Sequence, residues 1–206
     1  GVLGQAAALR ADALLIAGDL FDHNRVSTAT LDFAVQALAD CPFPVVLLPG
    51  NHDCLDDTAV LLHPAWADSG VHGLYAPDGA TVHLPDLDLT VWGRGMREHS
   101  PQFRPLAHAP VRAGAGWHVG LAHGLVRDDE ESFRSAPIAP AEIAASGFDY
   151  LALGHVHAAR EVSAGDVPAW YPGNTLPFGH EAGSALCVDL VPGAPVQVTR
   201  LRVPAD

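Results

Sequence analysis

Residues 11–22, ADALLIAGDLFD, carry a short apolar run into two aspartates three positions apart. Ala13 to Ala17 has the length and composition of a buried strand stopped by glycine. A hydrophobic core has no use for Asp19 and Asp22 at the end of such a strand. One reading is a turn, because Gly-Asp is ordinary loop punctuation and Asp caps helices. The other is that the strand delivers carboxylates to a site. The choice depends on how the other apolar strands end.

They end alike. PVVLLPGNHD (44–53) runs into Asn51, His52 and Asp53, WHVGLAHG (117–124) into His123, and FDYLALGHVH (148–157) into His155 and His157. In an open α/β sheet the carboxyl ends of the strands line the crevice where ligands bind. Asp, Asn and His are the oxygen and nitrogen donors that suit Mn²⁺, Fe²⁺, Zn²⁺ or Mg²⁺ rather than a thiolate centre. Asn51 is a poor general acid or base but a good neutral oxygen ligand. His155 and His157, two apart on an extended chain, point the same way, so neighbouring metals can each take one. A lone histidine after a strand is more often a cap or a surface residue. Four such endings in order are hard to obtain as four unrelated turns.

The remaining pattern gives an α/β chain. A helix is expected over 27–40 with Ser27 or Thr28 as cap, another over 58–67 and a third over 140–146. Short strands are expected near 71–75, 81–84 and 87–92, a loop over 97–115, and strands and turns from about 169 to 203. Strands alternating with helices early, then strands predominating, suggest a sandwich of mixed sheets.

Bulk properties narrow the partners. The 206 residues are 49% hydrophobic and 17% charged, with a mean hydropathy of +0.16, which fits one compact domain spanning 1–206. No apolar run approaches the roughly 18 residues of a membrane span, and no signal peptide opens the chain. Cys41, Cys54 and Cys187, an odd number without CxxC spacing, read as reduced thiols of a cytoplasmic protein. All 11 basic residues are arginine and the formal charge is −13, a surface that repels nucleic acid unless metal ions or a further module compensate. Of the twelve histidines, those at 23, 63, 72, 83, 99, 108, 118 and 180 follow no comparable strand and read as surface or structural. Arg94 and Arg127 could reach a phosphate, but an exposed arginine is usually just solvated, and neither is taken as a site residue.

GDLFD, PGNHD, AHG and GHVH resemble the ordered motifs of the calcineurin-like metallophosphoesterases. That resemblance implies a four-layer sandwich of two mixed β-sheets flanked by helices and phosphoester hydrolysis at a centre of two divalent metal ions. Mn²⁺ is the first expectation, with Fe²⁺, Zn²⁺ and Mg²⁺ as alternatives. By motif, Asp19 bridges the metals, Asn51, His123 and His155 complete one site, and His157 belongs to the other. His52 matches the family's catalytic histidine, and Asp22 the carboxylate that orients it. Asp53 is expected to stabilise its loop rather than bind metal.

One departure concerns the amino terminus. The family begins with a strand bearing D-x-H, which supplies ligands to the metal shared with His157. Nothing of that kind stands in the eighteen residues before Asp19, and Gly1 falls in helix-like sequence (VLGQAAALRA). The expectation is an amino-terminally incomplete domain with no separate cap, holding one cation firmly and the second weakly.

GDLFDHNRVS, PGNHD and YPGNTLPFG (171–179) are most similar to SbcD-type DNA repair exonucleases. This implies a nuclease acting on DNA ends with an ATPase partner subunit and no membrane association; the oligomeric state stays open. Two alternatives stand beside it. One is a phosphodiesterase or phosphatase acting on a small nucleotide or other phosphoester, and the other is a degenerate, non-catalytic scaffold of the same fold.

Overall fold

A computed structural model describes residues 1–127, 136–176 and 182–204. Its strands, in chain order, are β1 (Leu14–Ala17), β2 (Val45–Leu48), β3 (His72–Gly73), β4 (Ala80–Leu84), β5 (Leu89–Gly93), β6 (Trp117–His123), β7 (Leu125–Val126) and β8 (Pro137–Ile138), followed by β9 (Tyr150–Gly154), β10 (Arg160–Glu161), β11 (Ala169–Tyr171), β12 (Gly183–Asp189) and β13 (Gln197–Val203). The helices are α1 (Val2–Ala8), α2 (Thr28–Ala39) and α3 (Pro140–Ala145).

Two sheets carry the architecture. The first is β1-β2-β3, and the second has the order β10-β11-β9-β6-β5-β4. In the second, β5, β6, β9 and β11 run parallel while β4 and β10 pair antiparallel at its edges. Alternation of side chains sets the layers. Val46, Leu48 and Leu74 meet Val91 and Leu121 between the sheets. Val45 and Leu47, on the other face of β2, pack with Leu31 and Leu38 of α2 and with Trp66. Trp92, Ala122, Leu151 and Leu153 turn outward from the second sheet onto Ile138, Ile143 and Phe148. The result is helix, sheet, sheet and helix, the expected four layers. Leu47, Leu48, Leu121, Leu151 and Leu153 are fully buried, each stabilising by about 2 kcal/mol through apolar burial.

Three details differ from the expectation. The first sheet is parallel throughout its described strands, whereas a mixed sheet was expected. The antiparallel hairpin β12–β13 forms a two-stranded sheet of its own. It is tied to the rest by Ser184 N–H donating to Asn174 O at 2.7 Å and by Gln5 Nε2 of α1 donating to Arg202 O at 2.6 Å.

The helix expected over 58–67 is instead a pair of 3₁₀ turns, Val60–Leu62 and Pro64–Trp66. Pro64 has no amide proton, so an α-helical ladder cannot pass through it. α2 begins as expected, with Ser27 Oγ accepting from Thr30 N–H. α3 is started by Glu142, whose carboxylate accepts from Ala139 N–H at 2.7 Å. Residues 97–115 form turns and loop, as expected. Cys41, Cys54 and Cys187 are all free thiols. No helix among the described residues is long and apolar enough to cross a membrane. His180 and residues 177–179 of YPGNTLPFG lie outside the described residues.

Candidate metal centre

The centre forms where β1, β2, β6 and β9 end side by side. β1 pairs with β2 and β6 with β9 in parallel registers, so Ala17 lies beside Leu48 and His123 beside Gly154. Glycines let the two pairs approach. A Cβ on Gly154 would strike the Ala17 carbonyl oxygen, and one on Gly18, at φ 90°, would strike the His123 ring. Asp19 and His155 themselves adopt positive φ, 55° and 98°, conformations that cost non-glycine residues about 1–3 kcal/mol and recur at functional sites.

Four side chains converge. Asn51 Oδ1 lies 2.9 Å from His123 Nε2 and 2.9 Å from His155 Nδ1. Asp19 Oδ2 is 3.2 Å from His123 Nε2, and the two imidazole centroids are 5.2 Å apart. His123 is buried, and its Nδ1 lies 2.7 Å from the Ala17 carbonyl oxygen. A carbonyl can only accept, so Nδ1 carries a proton, and in the neutral ring Nε2 turns a lone pair toward Asn51 and Asp19. Lone pairs facing each other at this distance repel unless a cation, or a second ring proton on His123, lies among them. Donor atoms sharing an octahedral cation at bonds of about 2.1 Å stand roughly 3.0 Å apart, which matches the observed separations. The donor set therefore fits a divalent metal ion. Among the described residues, no three His, Cys, Asp or Glu side chains close into a ligand set by themselves. The Asn51 amide oxygen is the atom that completes this convergence.

Electrostatics favour the ligand forms. Burial works to raise the Asp19 pKa, but the hydrogen bond and charge of His123 and the His52 amide outweigh it and hold the carboxyl below its ordinary range. Burial, reinforced by His123, pushes His155 down to about 4, so its ring is neutral near pH 7.

Asp53 is fully buried and binds the strand-end loops rather than a metal. Its carboxylate accepts from the amides of Gly50 at 2.7 Å, Leu20 at 2.8 Å, Asp19 at 3.2 Å and Phe21 at 3.3 Å. Burial raises its pKa, the Gly50 amide opposes that rise, and the charge of Asp19 adds to it. The residue joins the Asp19 turn to the Asn51 turn.

His52 shows one correction. Its amide donates to Asp19 Oδ1 at 2.9 Å, and its Nδ1 lies 2.9 Å from the backbone carbonyl oxygen of Asp22. The orienting group is thus the Asp22 main chain rather than its carboxylate. A carbonyl can only accept and therefore fixes the tautomer more strictly than a titratable group. His157 is exposed, two residues beyond His155 and close enough for its charge to bear on that ring. It is not hydrogen-bonded into the cluster of four.

Two contributors were not legible in the sequence. Tyr171, its hydroxyl pushed by burial to a pKa of about 12, donates to Gly124 O at 2.8 Å and accepts from Val126 N–H at 2.9 Å. It pins the turn after His123 from β11, across the intervening β9. His99, expected to be merely a surface residue, is exposed but sits near enough to His155 to disfavour that ring's protonation. Arg94 is structural: it donates to Pro77 O and Arg104 O and lies 4.9 Å over the Phe103 ring.

Comparison with known proteins gives the family and the fold. The chain is 34% identical to the DNA double-strand break repair protein Mre11 of Aeropyrum pernix over 215 residues, covering 95% of this chain and 52% of that protein. It is 29% identical to the uncharacterized metallophosphoesterase YhaO of Bacillus subtilis, covering 80% and 41%. The Mre11 of Methanopyrus kandleri is 30% identical, covering 81% and 40%. The chain thus spans about half or less of the length of these curated relatives. TT1561 of Thermus thermophilus superposes with a TM-score of 0.57 at 13% identity, over 98% of this chain and 90% of that one, a likeness of fold. The profile of the calcineurin-like phosphoesterases matches residues 2–159, and the chain belongs to that family.

Proposed function

We propose that the chain is the catalytic core of a metal-dependent phosphodiesterase that acts on DNA ends. The observation that carries the metal chemistry is the convergence of Asp19, Asn51, His123 and His155, whose donor atoms lie 2.9 to 3.2 Å apart. Similarity to two Mre11 proteins supports DNA as the substrate, and by the same analogy an ATPase subunit is the expected partner. The small-phosphoester alternative has a relative on its side in YhaO, which is named only as a metallophosphoesterase.

Asp19, Asn51, His123 and His155 would hold one cation, and Asp19 with His157 would contribute to a second. Bound cations of this kind neutralise developing charge on the phosphoryl group and acidify a water nucleophile. Mn²⁺ is the first choice for this donor set, with Fe²⁺, Zn²⁺ and Mg²⁺ as alternatives.

The protein's own residues supply positioning and proton transfer. His123 is held by Ala17 so that Nε2 faces the centre. Asp53 fixes the backbone on both sides of Asp19 and Asn51, setting where their oxygens stand. His52, its Nδ1–H held by the Asp22 carbonyl, has Nε2 free; as the imidazolium it would give the Nε2 proton to the departing oxygen and return to the neutral Nδ1–H ring.

The test is an assay of the whole protein with Mn²⁺ on end-labelled duplex DNA and on bis-p-nitrophenyl phosphate. Release of nucleotides from DNA ends supports the reading. Turnover of the small diester with intact DNA would favour the small-phosphoester alternative. No turnover of either would favour the scaffold reading.

A further inference from the structure

The charge of the chain is unevenly placed. Against a total of −13, residues 94–104 hold Arg94, Arg97, Arg104 and His99 with Glu98 as the sole acid. This stretch is also built onto the metal centre. Leu55 N–H donates to Met96 O at 2.9 Å and Met96 N–H to Pro49 O at 3.2 Å, so the segment is bonded on both sides of the Asn51 turn. Met96 is buried against Cys54, with Phe103 packed on the same cluster. Arg94 ties the far end, through Arg104 O and the Phe103 ring. Between these anchors Arg97, His99 and Arg104 are exposed, and Arg97 lends one N–H to Tyr75 O at 3.5 Å.

We propose that residues 97–104 form the track along which the phosphodiester backbone of DNA approaches the centre, with Arg97 and Arg104 as its phosphate contacts. The proposal rests on the nuclease reading given above and extends it by naming the surface. Planar guanidinium forks suit phosphate oxygens, and a basic strip on an acidic protein directs a polyanion to one face and repels it from the others. The strip thereby answers the objection that a protein of this charge cannot bind nucleic acid unaided. It also places the strand beside the Asn51 turn, where His52 stands.

The test measures binding of a fluorescein-labelled single-stranded DNA to the full chain with Mn²⁺ across a salt series, by anisotropy. The variants are Arg97→Gln with Arg104→Gln, each also made singly, and Arg200→Gln with Arg202→Gln on exposed positions of β13 as a charge-matched control. The track predicts that the first pair weakens binding about tenfold or more and lowers the slope of log affinity against log salt by about 1.4, each single variant by about 0.7. The control should keep the wild-type slope. An unchanged slope in the first pair, an equal loss in the control, or no salt-dependent binding by the wild type would each overturn the track. Wild-type binding with the predicted slope, but no hydrolysis of DNA or bis-p-nitrophenyl phosphate, would instead sink the hydrolase reading and leave the track standing.

Discussion

At the scale of single residues, His52 and Asp53 divide the work that neighbouring motif positions imply. His52→Ala is expected to lower turnover by about 10²-fold or more while metal content, measured by mass spectrometry, stays at the wild-type level. Metal loss in that variant would make His52 a ligand. Asp22→Asn should cost much less, because the contact to His52 Nδ1 comes from the main chain. Asp53→Asn puts an amide donor among four amide donors. It should destabilise by about 2–3 kcal/mol, seen as a lower Tm in calorimetry, and weaken metal binding with it. The apolar runs and the polar residue after each made the convergent set legible. The Asp53 cradle was legible only as a loop-stabilising acid, since nothing in a sequence says which amides will face one carboxylate. The Asp22 correction has the same origin: a motif gives residue types, and backbone and side chain of one residue are indistinguishable in it.

Among the elements, close approach of the two strand pairs decides whether a site exists. Gly154→Ala would push β9 off β1 at the Ala17 carbonyl. A loss of more than about 2 kcal/mol is expected in denaturant unfolding, together with weakened metal binding. Short apolar runs bounded by glycine made β1, β2, β6 and β9 readable. The segment 58–67 misled for a physical reason. Its apolar residues suit either a helix or two tight turns facing a core, and Pro64 selects the turns. The pairing of β12 with β13 alone could not be read either, because sheet membership depends on which edges meet in space.

The whole molecule couples these parts, since a cation binding only the folded state stabilises it by mass action. At a free Mn²⁺ concentration about 100 times the Kd, the gain is about 2.7 kcal/mol, or a Tm rise of about 5–10 °C for a domain of this size. Differential scanning calorimetry should show this rise and its reversal by EDTA. The fold family was legible from four ordered strand endings, while the basic strip over 94–104 was not, because its meaning depends on the backbone bonds that dock it beside the Asn51 turn. The central claim is that Asp19, Asn51, His123 and His155 form a cation site. It is tested most directly by anomalous diffraction at the manganese edge from crystals grown with Mn²⁺. The account predicts a peak within bonding distance of Asp19 and Asn51 carboxyl and amide oxygens, His123 Nε2 and the His155 ring. A well-ordered site with no peak among these four, or with manganese bound only elsewhere, would contradict it.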